Sequence, residues 1–269
     1  MRAAVGALAA LAAGGLAWGS FEAGWVRLRV LEVRLDGLPP ELDGLRVAHL
    51  SDFHLGVPSR GRVAVERAVA WVEERRPDLV CVTGDLLSRA GGEPLLRSLL
   101  DRLPGAFVVL GNHDLADSRD PFSEPVELGA LDGVTLLADD SRTIELRGRR
   151  VQFAGVDPRS YGRGEAQPAR LADPDADLRI LLCHFPGIRR RLPAGAYQLV
   201  LSGHLHGGQI CVPYPGGKLL LAHPRARERE GVYRDAATVT HVSPGLGTTF
   251  VPFRFFARPE ATELVLRAA

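Results

Sequence analysis

The chain has 269 residues, 46% hydrophobic and 24% charged, and its 33 basic and 32 acidic side chains leave a formal net charge of +1. This is the composition of a folded domain, and so near neutrality nothing in the global charge calls for a nucleic-acid partner. Cys81, Cys183 and Cys211 are odd in number and lack CxxC spacing, which argues against a disulfide framework and predicts buried free thiols.

Residues 3–19 are apolar and rich in Ala, Gly and Leu, with Arg2 before them and Glu22, Arg27 and Arg29 after. No polar face exists for an amphipathic helix. The stretch is a little short for a spanning helix of ~20 residues and long for a signal-peptide core. Two readings stand: a membrane anchor, or an export signal with Ala17 and Gly19 at the −3 and −1 positions of a cut. Three unpaired thiols fit an oxidising compartment poorly, which favours the anchor and a membrane-associated protein. The expected division is 1–24 for this segment and 25–269 for one catalytic domain.

From Trp25 to Leu35, Val26, Leu28, Val30, Val33 and Leu35 alternate with polar residues and predict a half-buried strand. Pro39-Pro40 and Asp43-Gly44 mark a turn, and 45–50 is an apolar run that ends on Ser51-Asp52. Helical spacing of Val65, Val69 and Val72 predicts a helix over 62–75, stopped before Pro77. A strand over 79–82 ends on Gly84-Asp85, a helix covers 95–103, and a strand over 106–110 ends on Gly111-Asn112. Buried strands alternating with helices predict an α/β layered fold with parallel pairing, and ligands in such sheets gather at the carboxyl ends of the strands. Further strands are expected at 134–137, 143–146, 151–154, 180–183 and 198–201, with closing strands in 232–242 and 262–266.

Five segments in this order carry metal-type side chains: Asp52-Phe53-His54, Gly84-Asp85, Gly111-Asn112-His113-Asp114, Cys183-His184 and Gly203-His204-Leu205-His206. Phosphoester hydrolysis at neutral pH needs an activated water and cations against the charge on phosphorus. Two ions roughly 3.5–4 Å apart supply both. Asp, Asn and His suit such a pair, and Gly111 is expected to let the backbone turn sharply toward the site. Cys183 beside His184 points to the opposite face of its strand.

With these segments in hand, the chain resembles the calcineurin-like metallophosphoesterase superfamily, whose order is D-x-H, G-D, G-N-H-D, H, G-H-x-H. The resemblance implies a four-layer α/β/β/α sandwich of two mixed sheets flanked by helices. It implies that Asp52, His54 and His206 hold one divalent metal, Asn112, His184 and His204 the other, and that Asp85 bridges them. His113 would protonate or stabilise the leaving oxygen, with Asp114 orienting its ring. Manganese is the expected metal, with iron or zinc as alternatives. One departure is Ser88, where the family often has a second Asp in G-D-x-x-D; this leaves the orientation of the ligands without its usual support.

The run Ser202-Gly203-His204-Leu205-His206-Gly207-Gly208-Gln209 is similar to a membrane-associated bacterial branch containing general phosphodiesterases and a UDP-2,3-diacylglucosamine pyrophosphatase of lipid A biosynthesis. That branch implies a phosphoester substrate, with a nucleotide-linked lipid as the specific expectation. The competing readings are a broad phosphodiesterase or phosphatase with a non-lipid substrate, and a non-catalytic membrane scaffold, which the presence of all seven ligands disfavours. Outside these segments, His49, His223 and His241 read as structural or surface residues. Arg189-Arg190-Arg191 reads equally as a solvated face or a phosphate grip, and Arg225, Arg227 and Arg229 as an exposed loop. Phe250, Phe253, Phe255 and Phe256 are expected in the core rather than on an apolar surface.

Overall fold

The computed structural model describes residues 2–126, 128–221, 228–235 and 237–269; His223, Arg225 and Arg227 therefore lie outside the described residues. Helix α1 (Arg2–Ala23) precedes β1 (Arg27–Leu35), β2 (Arg46–Leu50), α2 (Gly61–Arg75), β3 (Leu79–Thr83), α3 (Glu93–Leu100), β4 (Phe107–Val109) and β5 (Thr135–Leu136). The second half runs β6 (Asp140–Leu146), β7 (Arg149–Gly155), α4 (Pro158–Arg163), β8 (Leu178–Leu182), β9 (Leu199–Ser202), β10 (Cys211–Tyr214), β11 (Gly217–Leu220), β12 (Gly231–Asp235), β13 (Thr238–Val242) and β14 (Glu260–Ala268).

Two mixed six-stranded sheets result, ordered β1-β14-β2-β3-β4-β5 and β12-β13-β9-β8-β7-β6. Strands β2 to β5 and β7, β8, β9 and β13 pair in parallel, while β14 runs antiparallel to β2. The sheets face one another across a core that mixes Val47, Cys81 and Phe107 from the first with Phe153, Ile180 and Leu201 from the second. Phe107 and Phe153 stack across it at 3.7 Å.

The outer face of the first sheet is covered by α2 and α3. Ala64, Val65, Ala68, Val69 and Val72 form the buried stripe of α2, and Arg76 closes that helix in a left-handed conformation (φ 47°) just before Pro77. The second sheet's outer layer is thinner: the short α4 and 3-10 turns pack Tyr161, Ile188 and Leu192 against Leu181 and Val200. The expected four layers are therefore present, with unequal helical cover.

Two expectations need correction. In β1 only Val33 and Leu35 are buried, whereas Leu28 and Val30 are exposed and Arg27 and Arg29 turn toward Glu260. The step from Val30 to Val33 spans three residues, so one pleated face cannot carry both. Helix α1 also runs past the apolar stretch to Ala23, 22 residues in all. Its last turn is docked: the Gly19 carbonyl accepts from Arg254 N at 3.0 Å, and Glu22 Oε1 accepts from Ala257 N at 2.7 Å. The helix is long and apolar enough to cross a membrane, and most of it is exposed.

Candidate metal centre

Each of the five segments follows the carboxyl end of a parallel strand: β2, β3 and β4 in one sheet, β8 and β9 in the other. The chain must reverse sharply there, and it does so on the candidate ligands themselves. Asp52, His54, Asp85, His204 and His206 all have positive φ, between 46° and 74°. Such backbone is costly for residues with a Cβ and persists where surrounding contacts over-determine it.

The geometry yields two groups of converging donors, Asp52, His54, Asp85 and His206, and Asp85, His184 and His204, with Asp85 common to both. The Asp85 carboxylate lies 3.5 Å from His54 Nε2 and 3.2 Å from His184 Nε2 through the same oxygen. Nitrogen faces nitrogen at 3.1 Å in both His54–His206 and His184–His204. Asn112 donates its Nδ2 to the Asp117 carbonyl at 3.0 Å, while its Oδ1 is shielded from solvent without a hydrogen-bond partner. A buried orphan acceptor beside converging imidazoles and carboxylates is the donor set a pair of divalent cations satisfies.

Neighbouring groups fix the rings. Thr83 O lies 2.8 Å from His184 Nδ1, which leaves Nε2 for the centre. Ser88, where a second Asp was missing, is fully buried, and its Oγ meets His54 Nδ1 at 2.8 Å. It orients that ring directly. Burial drives the His54 imidazole down to about 3, the neutral form a metal requires. Burial also pushes Asp52 up to about 6. It acts against the charge on Asp85 as well, but His184, His113 and His54 together hold that carboxyl well below the ordinary carboxylate range. Against burial, Asp85 and Asp52 push His184 up to about 9.

Glycines let backbone approach these carboxylates. A Cβ on Gly111 would land 2.1 Å from Asp85 Oδ1, and one on Gly203 2.3 Å from Asp52 Oδ2. Gly111 is not among the positive-φ glycines; close approach, rather than the expected sharp turn, accounts for it.

His113 is buried beside the donors, edge-on to His54 at 4.5 Å, but outside both groups. Its Nδ1 meets Ser123 Oγ at 3.0 Å and its Nε2 meets Ser118 Oγ at 3.1 Å. Asp114 does not orient the ring as expected. Its carboxylate accepts from the backbone amides of Leu86, Leu87 and Gly111 at 2.8 to 2.9 Å and so joins two of the ligand-bearing loops. The acid behind His113 is Asp120, which accepts from Ser123 Oγ at 3.2 Å.

Arg254 was not apparent from the sequence. It is fully buried, donates to the carbonyls of His206, Pro244, Gly247 and Ala257, and brings Nη2 to 3.4 Å from His206 Nδ1. Burial lowers it to about 10, still cationic at neutral pH. An arginine inside the aromatic run Phe250-Val251-Pro252-Phe253-Arg254-Phe255-Phe256 was the available signal. The expected core placement does not hold for Phe250 and Phe256, which are 50% and 49% exposed, while Phe253 and Phe255 are half-buried.

The triple arginine is spoken for. Arg189 pairs with Asp235 and Glu228, Arg190 with Glu228, and Arg191 stacks 4.4 Å over Tyr161. His49 and His241 are fully buried and paired through their Nδ1 atoms at 2.7 Å between the sheets, a structural role. All three cysteines are free and buried.

The calcineurin-like phosphoesterase family profile matches residues 45–208. That span holds every candidate ligand. The chain belongs to the calcineurin-like phosphoesterase family. It is 28% identical over 281 aligned residues to the Bacillus subtilis metallophosphoesterase YkuE, itself uncharacterized, covering 98% of this chain and 96% of that one. A zebrafish (Danio rerio) transmembrane protein with a metallophosphoesterase domain is 33% identical over 89% of this chain and 57% of its own length. The Escherichia coli phosphodiesterase YaeI is 26% identical over 91% of this chain and 90% of its own. Among solved structures, a Staphylococcus aureus protein provisionally named a 5'-nucleotidase aligns over 83% of this chain and 54% of its own at TM-score 0.49 and 14% identity. This phosphoesterase is a phosphoester hydrolase with a candidate dinuclear centre of Asp and His side chains.

Proposed function

We propose that this hydrolase cleaves a phosphodiester or pyrophosphate bond at a membrane surface with two divalent cations, manganese being the expected metal. Asp52, His54 and His206 would hold one ion and Asn112, His184 and His204 the other, with Asp85 shared. The observation that carries this reading is the single Asp85 oxygen facing His54 on one side and His184 on the other. The orphaned Asn112 Oδ1 supports its assignment to the second set. When bound, the ions supply an activated water and offset charge at phosphorus. His113, held by Ser118 and Ser123, would protonate the leaving oxygen.

The specific substrate we favour is UDP-2,3-diacylglucosamine. A lipid substrate agrees with an apolar α1 whose end is packed onto the catalytic domain, residues 25–269. The docking of Gly19 and Glu22 also favours an anchor over a signal, because a cut after Gly19 would sever the helix within its docked turn. A second reading is a phosphodiesterase with a non-lipid substrate, and its reaction class agrees with the Escherichia coli relative YaeI, a phosphodiesterase. Manganese-loaded protein incubated in detergent with UDP-2,3-diacylglucosamine separates the two by mass spectrometry. UMP and 2,3-diacylglucosamine 1-phosphate support the lipid reading; intact lipid with cleavage of bis(p-nitrophenyl) phosphate supports the second.

A further inference from the structure

The segment between β4 and β5 brings one more cation to the cleft. Arg119 lines a cavity of about 360 Å³ together with Asp85, Asn112, His113 and His204. It is exposed, and among the described residues no carboxylate, carbonyl or aromatic ring holds its guanidinium. The triple arginine after His184 differs, because acidic side chains or Tyr161 occupy each member.

Its backbone, in contrast, is tied down on both sides. Ser118 Oγ touches His113 Nε2 at 3.1 Å and accepts from Asp120 N at 3.1 Å. The Asp120 carboxylate accepts from Phe122 N, Ser123 Oγ, Thr249 Oγ1 and Phe250 N at 2.8 to 3.2 Å. Thr249 and Phe250 also line the cleft. A fixed Cα with an unpaired, planar, five-donor head is suited to a tetrahedral oxyanion, since little ordering remains to oppose the contact.

We propose that Arg119 binds a second phosphate of the substrate, attached through the leaving oxygen, so that this cleft selects pyrophosphate-linked substrates over simple diesters. The inference rests on the two-cation reading above and on His113 as the group that faces the leaving oxygen. Because Ser118 joins His113 to the segment bearing Arg119, the guanidinium belongs to the leaving side. There a phosphodiester with an aryl or alkyl leaving group presents no charge.

The test uses the full chain, loaded with Mn²⁺ in detergent, with UDP-glucose as the pyrophosphate and bis(p-nitrophenyl) phosphate as the diester. Arg119→Ala is expected to lower the pyrophosphate-to-diester ratio of kcat/KM by about 10- to 100-fold, the range of a lost charge-assisted contact. Most of the loss should lie in KM, and Arg119→Lys should recover part of it. A ratio within about twofold of wild type, on the order of 0.4 kcal/mol or less, overturns the assignment. So does wild-type protein that cleaves the diester and no pyrophosphate, and that result leaves the metal centre standing. Cleavage of neither substrate by protein carrying two ions overturns the hydrolytic reading along with this one.

Discussion

A methyl group at position 111 has no place to go: 2.1 Å from Asp85 Oδ1, it would displace the carboxylate that both donor groups share. Gly111→Ala is therefore expected to abolish metal binding and activity together. Overpacking of this kind should also cost about 1–3 kcal/mol of stability, read by thermal melting; metal content equal to wild type would contradict the placement of Asp85. His113→Ala separates the other way. Since His113 lies outside both donor groups, the variant should keep its metal by elemental analysis while turnover falls about 10²- to 10⁴-fold. At this scale the sequence was informative wherever a residue sits in a spaced segment with a chemical signature, as Asp52, His54 and His206 do. Ser88 and Arg254 were not legible. A lone serine and an arginine inside an aromatic run carry no metal-type spacing, and only the packed structure shows Ser88 Oγ on His54 and Arg254 behind His206. Cys183, whose thiol burial pushes up to about 12, should resist thiolate-dependent reagents until the chain unfolds.

The segment after β4 works as a clamp, and its acid is Asp120 rather than Asp114. The Asp120 carboxylate reaches His113 through Ser123, and it also fixes Thr249 and Phe250 on the lining of the cleft. Asp120→Asn removes the charge while keeping the size. It should slow cleavage of substrates with poor leaving groups more than of p-nitrophenyl esters, because a misplaced His113 matters most where the leaving oxygen needs its proton. Equal slowing for both classes, with metal content unchanged, would reduce Asp120 to a purely structural tie. The sequence placed α2 and β3 almost to the residue because apolar spacing and Pro77 define their ends. It could not place the inner face of β1, where Arg27 and Arg29 turn toward Glu260 in the distant β14.

At the scale of the molecule, the donors come from both sheets. Asp52, Asp85 and Asn112 follow strands of the first, and His184, His204 and His206 follow strands of the second. Each sheet alone presents an incomplete set, so the bound ions would join the two halves of the sandwich at their open carboxyl ends. Ions that bind the native state and not the unfolded chain stabilise it by mass action, about 4 kcal/mol at a thousandfold excess over Kd. For a chain of this size that corresponds to a rise in Tm on the order of 10 °C. Stripping the protein with a chelator should therefore lower Tm by about that amount, and Mn²⁺ should restore it in step with activity. The sheets already share a continuous apolar core through Phe107 and Phe153, so the stripped protein should remain folded and lose this increment alone. If elemental analysis shows complete removal and the melting curve does not move, the ions do not tie the sheets together, and the centre would have to be assembled within one sheet.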